Sequence, residues 1–243
     1  MDVYRRRGST GPQPLLIFVH GGGWRGGHRR QTSQLTLFHV AREGWTVAAI
    51  DYPLSPAATF PDHLIGIDAA LAWAEAEPTV DGPVVLMGAS AGAHLAAVAA
   101  LSRPGVAGFI GLYGIYDFFN RHRTRVNWPV IPRAVMKATA DQDPERYRLA
   151  SPLDLAASGS PPTLLVTGDY DSLVHPDETH SFFRLLDQVG ADVTLLEVPW
   201  GQHAFDALSG LRARAVAGRI AGWIDSQLTG EQEGGTRGDR QSR

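Results

Sequence analysis

The sequence predicts an α/β protein with a mostly parallel central sheet and helices on both of its faces. Three observations carry this prediction. Short, continuous apolar runs recur at residues 15–19, 45–50, 84–87, 106–113, 163–167 and 193–198, as expected of strands covered on both sides. Stretches of helical period separate several of these runs, and strands alternating with helices build parallel sheets. Glycine, serine, aspartate and histidine gather just past four of the runs, where open α/β sheets bind their ligands.

Taken in order, residues 2–7 read as a short edge strand, closed by the turn Gly8-Ser9-Thr10-Gly11-Pro12. The run 15–19 leads straight into His20-Gly21-Gly22-Gly23-Trp24. A helix is predicted over 32–42, ending at Gly44, and the run 45–50 is the next buried strand. After a proline-bounded loop, residues 60–77 have helical period, and Pro78 with Asp81-Gly82-Pro83 closes that helix. Residues 84–87 then form a strand leading to a serine, and 106–113 form the next strand. The long segment 114–162 is irregular. Strands at 163–167 and 193–198, with helices over 177–189 and 208–228, complete the alternation. No linker interrupts the pattern, so 1–228 reads as one domain, while the polar, glycine-rich stretch 229–243 has the composition of disorder.

The stretch Gly88-Ala89-Ser90-Ala91-Gly92 sits between an apolar strand and an alanine-rich helix. A chain that reverses from strand to helix within a few residues strains the backbone at the apex, and small neighbours are needed for the two elements to approach. The hydroxyl of Ser90 is thereby presented outward. The plain alternative is a serine that caps the helix. The segments beyond two other strands weigh against that alternative: Gly168-Asp169-Tyr170-Asp171 after one, and Trp200-Gly201-Gln202-His203-Ala204-Phe205 after the last. Nucleophile, acid and histidine therefore fall in that chain order, each just past a strand. Serine is a weak nucleophile until an imidazole takes its proton, and a carboxylate fixes the imidazole tautomer.

On these residues the chain resembles the α/β-hydrolase superfamily, and within it the hormone-sensitive-lipase-like esterases and the related arylformamidases. His20-Gly-Gly-Gly-Trp24 is similar to that group's oxyanion loop, and Gly88-Ala-Ser-Ala-Gly92 to its nucleophile elbow. Gly168-Asp-Tyr-Asp-Ser-Leu173 and Gln202-His-Ala-Phe205 resemble the segments carrying its acid and histidine. The resemblance implies Ser90 as nucleophile, Asp171 as orienting acid and His203 as general base. Asp169 and Asp177 are rivals for the acid, Asp177 being explained as a first-turn acid of the next helix. The oxyanion hole would be formed by the backbone amides of Ala91 and of Gly22 and Gly23, with Gly21 as the alternative. Trp24, Trp128 and Trp200 are candidates for lining a substrate pocket, and 114–162 for a small lid over it.

The resemblance implies a carboxylesterase acting on short-chain acyl esters through an acyl-enzyme. Arylformamidase, acetyl or feruloyl esterase, peptidase and a non-catalytic, receptor-like hydrolase fold are the alternatives. Almost nothing precedes Asp2, where the lipase-like esterases carry a helical cap, which brings the chain nearer the compact members of the group. The expected partner is a small-molecule ester. A net charge of −3 gives no electrostatic case for nucleic acid or anionic membranes. The absence of cysteine excludes disulfides and thiolate metal sites. The nine histidines show no H-E-x-x-H spacing, so neither metal nor cofactor is expected. With no leader-like or membrane-spanning run in the sequence, a cytoplasmic protein is the expectation.

Overall fold

A computed structural model describes residues 1–125 and 129–229. Seven strands form one sheet: β1 (Asp2–Tyr4), β2 (Gln13–Val19), β3 (Thr46–Ile50), β4 (Val80–Ala89), β5 (Gly108–Leu112), β6 (Thr163–Gly168) and β7 (Val193–Val198), in the order β1-β3-β2-β4-β5-β6-β7. Every pairing is parallel except that of β1, which runs antiparallel to β3 with Val3 opposite Ala48. The helices are α1 (Gln34–Arg42), α2 (Ile65–Ala76), α3 (Ala91–Ser102), the short α4 (Pro144–Leu149) and α5 (Pro152–Leu155), α6 (Pro176–Gln188) and α7 (Leu211–Ile224).

The apolar runs are continuous because each strand feeds two cores. Leu15, Ile17 and Val19 of β2 point into a core shared with α2, α3 and α6, whereas Leu16 and Phe18 point into the one closed by α1 and α7. In α3, residues 91–100 are all buried, which leaves little room for anything larger than alanine along most of its length. Beyond β2 the chain turns to α1 on one face, and beyond β4 it turns to α3 on the other. The neighbouring strands β2 and β4 thus bracket the point where the winding reverses. Such a point opens a crevice past the strand ends.

Several boundaries differ from those the sequence predicts, for local reasons. Strand β4 begins at Val80, because Val80 pairs with Gln13 ahead of a register shift, and Asp81-Gly82-Pro83 lies within it. The helix expected over 60–77 is a 3₁₀ turn, Asp62–Leu64, continued by α2. The last helix starts after Gly210, and a π-helical turn, Asp225–Thr229, extends it to the first residue of the stretch read as a disordered tail; 230–243 lies outside the described residues. Segment 114–162 is not loosely laid over the sheet. Its Ile115, Tyr116, Phe118, Ile131, Val135, Met136, Tyr147 and Ala150 belong to the α3-side core. Arg125 and Glu178 form a buried ion pair that ties this segment to α6, and Glu178 also accepts hydrogen bonds from the Tyr116 and Asp117 amides. No described helix is long and apolar enough to cross a membrane.

Candidate active site

Ser90 closes β4 and opens α3 with φ 54° and ψ −120°, a backbone conformation that costs a non-glycine residue of order 1–3 kcal/mol. Its amide is held by the Leu112 carbonyl at 2.8 Å, and its own carbonyl accepts from His94 N at 3.2 Å. Gly92 makes the turn sterically possible. A Cβ there would stand 2.1 Å from the Val19 carbonyl oxygen, so α3 could not approach the end of β2 with any other residue.

The loops after β6 and β7 bring two further side chains to Ser90. Their backbones touch at Gly168 and Gly201, where a Cβ on the first would meet the carbonyl oxygen of the second at 2.3 Å. The amide of Tyr170 also donates to the Gly201 carbonyl at 3.0 Å. Across this junction, His203 Nδ1 lies 2.7 Å from Asp171 Oδ2, and His203 Nε2 lies 3.0 Å from Ser90 Oγ. The other oxygen of Asp171 accepts from the amides of Leu173 and Val174, both at 2.9 Å. With its carboxylate buried and so satisfied, Asp171 accepts the hydrogen bond of Nδ1–H and leaves the Nε2 lone pair facing the serine hydroxyl. Of the three candidate acids, Asp169 is exposed, and Asp177 pairs with His175 at the start of α6. Neither meets His203.

The glycine loop leaves β2 beside the elbow. Gly21 is buried, and a Cβ on it would stand 3.2 Å from Ser90 Cβ. Gly22 is exposed and Gly23 partly so, with φ 123° and 60°. Among the described residues their amides donate to no protein acceptor. Ala91, whose amide begins α3, is fully buried.

The loop is held from behind by its aromatic neighbours. His20 stacks on Tyr52 with centroids 4.4 Å apart and donates from Nδ1 to the Gly21 carbonyl at 2.7 Å. Burial holds the His20 imidazole below its ordinary pKa. Trp24 departs from the sequence-based expectation. It does not line a pocket, because its ring is fully buried against His94 and Phe118, edge to face. Its indole N–H donates to His94 Nδ1 at 3.1 Å, while His94 Nε2 donates to the Ala150 carbonyl at 2.7 Å. Both nitrogens of His94 are thereby assigned, and burial drives its pKa down to about 3. Trp200 stands on the outer surface, 68% exposed and stacked on Tyr170 at 4.9 Å, and Trp128 lies outside the described residues.

A buried network that sequence reasoning missed stands behind the histidine. Asp206, three residues past His203, accepts from Tyr113 Oη at 2.5 Å through one oxygen and from Ser33 Oγ at 2.5 Å through the other. The ring of Tyr113 meets that of His203 edge to face at 4.8 Å. Burial, with Asp206 beside it, raises the Tyr113 pKa well above its usual value. This network fastens the histidine loop to β5 and to the start of α1. The signal in the sequence was an acidic residue within an otherwise apolar Ala204-Phe205-Asp206-Ala207-Leu208 stretch, whose partners are 93 and 173 residues away. No group of three His, Cys, Asp or Glu side chains among the described residues is disposed to hold a metal ion.

Known proteins share this arrangement of elements. The family model described as BD-FAE matches residues 1–186. Esterase LipC of Mycobacterium tuberculosis is 34% identical over 244 residues, covering 91% of this chain and 60% of LipC. The probable carboxylic ester hydrolase LipM of the same organism is 34% identical over 89% of this chain and 56% of its own length. The chain thus spans less than two thirds of the length of these relatives. A solved bacterial heroin esterase superposes with a TM-score of 0.79 at 26% identity, covering 93% of this chain and 78% of that one. From the match over residues 1–186, together with the sheet order and these likenesses, the chain belongs to the BD-FAE family and has the α/β-hydrolase fold.

Proposed function

We propose that this protein is a serine hydrolase that cleaves carboxylic esters of short acyl chains through an acyl-enzyme. The observation that carries the reading is the hydrogen-bonded series from Asp171 through His203 to Ser90, with contacts of 2.7 and 3.0 Å. In this reading Ser90 Oγ attacks the ester carbonyl as His203 Nε2 takes its proton, and the carbonyl oxygen becomes an oxyanion. The amides of Gly22, Gly23 and Ala91 receive that charge, with Gly21 the alternative donor; one such donor is worth about 3–4 kcal/mol in the transition state. Collapse of the intermediate breaks the C–O bond, and the alcohol leaves with the proton from His203. Water, deprotonated by the same nitrogen, then attacks the acyl-Ser90 ester, and a second collapse returns the hydroxyl and releases the acid. Asp171 remains ionised and stabilises the imidazolium at each stage.

Short acyl chains are supported by the surroundings of the glycine loop. A methylene gains about 0.8 kcal/mol only when it is buried. The cavity beside Gly22 and Gly23 is lined by Arg25 and Arg133 along with Val130 and Ala134, which suits a long alkyl chain poorly. The test is kcat/KM across p-nitrophenyl esters from acetyl to palmitoyl, with N-formylkynurenine alongside. Acetyl to hexanoyl esters should lead. A maximum at decanoyl or longer would contradict the chain-length reading, and faster hydrolysis of the formamide would move the protein to the arylformamidases.

A further inference from the structure

The cavity at the glycine loop has a volume of about 680 Å³, within the usual range for small-ligand sites. It is lined by Gly22, Gly23 and Arg25 of the glycine loop and by Pro129, Val130, Arg133 and Ala134 of segment 114–162. Arg25 and Arg133 therefore both line the space next to the amides of Gly22 and Gly23. Among the described residues, no Asp or Glu lines it. Both arginines are exposed, and among the described residues neither has a carboxylate within ion-pair distance. Other arginines are paired: Arg29 and Arg30 share Asp2, and Arg121 bridges Asp117 and Asp154.

In a chain with a net charge of −3, two arginines with no acid lining beside them give the mouth of the site a local positive charge. Arginine presents a planar fork of donors that matches a carboxylate, and its charge-assisted bonds are about twice as strong as neutral ones. An ester whose carbonyl lies against Gly22 and Gly23 extends one of its two arms into this cavity. A carboxylate a few bonds from the scissile carbonyl would reach the arginines there.

We infer that the site selects esters bearing a free carboxylate, which Arg25 and Arg133 bind in the cavity beside the glycine loop. This rests on the ester-hydrolase reading and names its substrate class. The carboxylate can belong to the acyl arm, as in a half-ester of a dicarboxylic acid, or to the alcohol arm, as in an acylated hydroxy acid.

Two matched pairs separate these arms. Monoethyl adipate is compared with the same ester carrying an amide in place of the free carboxylate, and γ-acetoxybutyrate with γ-acetoxybutyramide. In one pair the carboxylate should be favoured in kcat/KM by about tenfold or more, mainly through KM, and the ratio should shrink at high salt as the charges are screened. Arg133→Gln and Arg25→Gln should each bring that ratio toward one, and Arg133→Lys should restore part of it. Arg133 lies outside the glycine loop, so its variants read the charge without disturbing the oxyanion amides. Amides hydrolysed as well as carboxylates in both pairs would overturn the inference and leave the ester-hydrolase reading standing. Turnover of none of the four esters, with Ser90 still labelled by a fluorophosphonate, would overturn the inference as well. Absence of labelling together with absence of all turnover would overturn both.

Discussion

The imidazole of His94 gives a quantitative test of how the glycine loop is held. Its Nδ1 accepts from Trp24 and its Nε2 donates to Ala150, so protonation would set two donors face to face inside the core. Burial accordingly moves its pKa from the ordinary 6.5 to about 3. The folded value is depressed, so the unfolded chain binds the proton first, and stability is lost as pH falls below the unfolded value. Over roughly two pH units below 6.5, at about 1.4 kcal/mol per unit, this one histidine removes about 3 kcal/mol of stability by about pH 4.5. The variant His94→Gln keeps a donor and an acceptor but does not titrate. Urea unfolding near pH 7.5 and near pH 4.5 should show the unaltered protein losing about 3 kcal/mol more than the variant. His63, which burial lowers to about 4, acts with the same sign in both proteins and cancels in the comparison. Equal losses in the two proteins would refute the neutral, loop-holding role of His94.

The geometry of the site sets two further outcomes. Asp171→Asn should lower kcat by about 10⁴, the scale of the same change in the serine protease template, because His203 would take the wrong tautomer; Asp169→Asn should do far less, and steady-state kinetics of the two would expose an inverted order. Gly92→Ala places a methyl group 2.1 Å from the Val19 carbonyl oxygen, so it should cost about 1–3 kcal/mol in thermal or urea unfolding and reduce activity by shifting the glycine loop from Ser90; an unchanged protein would contradict the close approach of α3 to β2.

The parts of this molecule that are local in sequence were legible in it. A strand, two glycines around a serine and an alanine-rich helix suggest the elbow locally, with the segments after two other strands deciding against a capping serine, and the double-sided burial of β2 reads directly from Leu15 to Val19. What depends on distant residues was not legible. Composition and chain order leave Asp169 and Asp171 alike, and only the family resemblance singles out Asp171; the physical difference is that the Leu173 and Val174 amides and His203 converge on it. Trp24 looks the same in sequence whether it lines a pocket or props up a loop, and its role comes from His94, 70 residues on. The union of Tyr113, Asp206 and Ser33 likewise exists only once β5, α1 and the histidine loop have come together. The regularity hidden in segment 114–162 has a similar origin, since α4 and α5 are short and form against a core that the rest of the chain supplies.

If Ser90 carries the acyl group, that intermediate can be trapped on it. The protein is exposed to a fluorophosphonate and separately to p-nitrophenyl acetate, quenched in acid, digested and mapped by mass spectrometry. A single adduct on the peptide containing Gly88-Ala-Ser-Ala-Gly92, lost together with ester hydrolysis in a folded Ser90→Ala variant, is the expected result. An adduct on another residue, or hydrolysis that persists in Ser90→Ala, would contradict it.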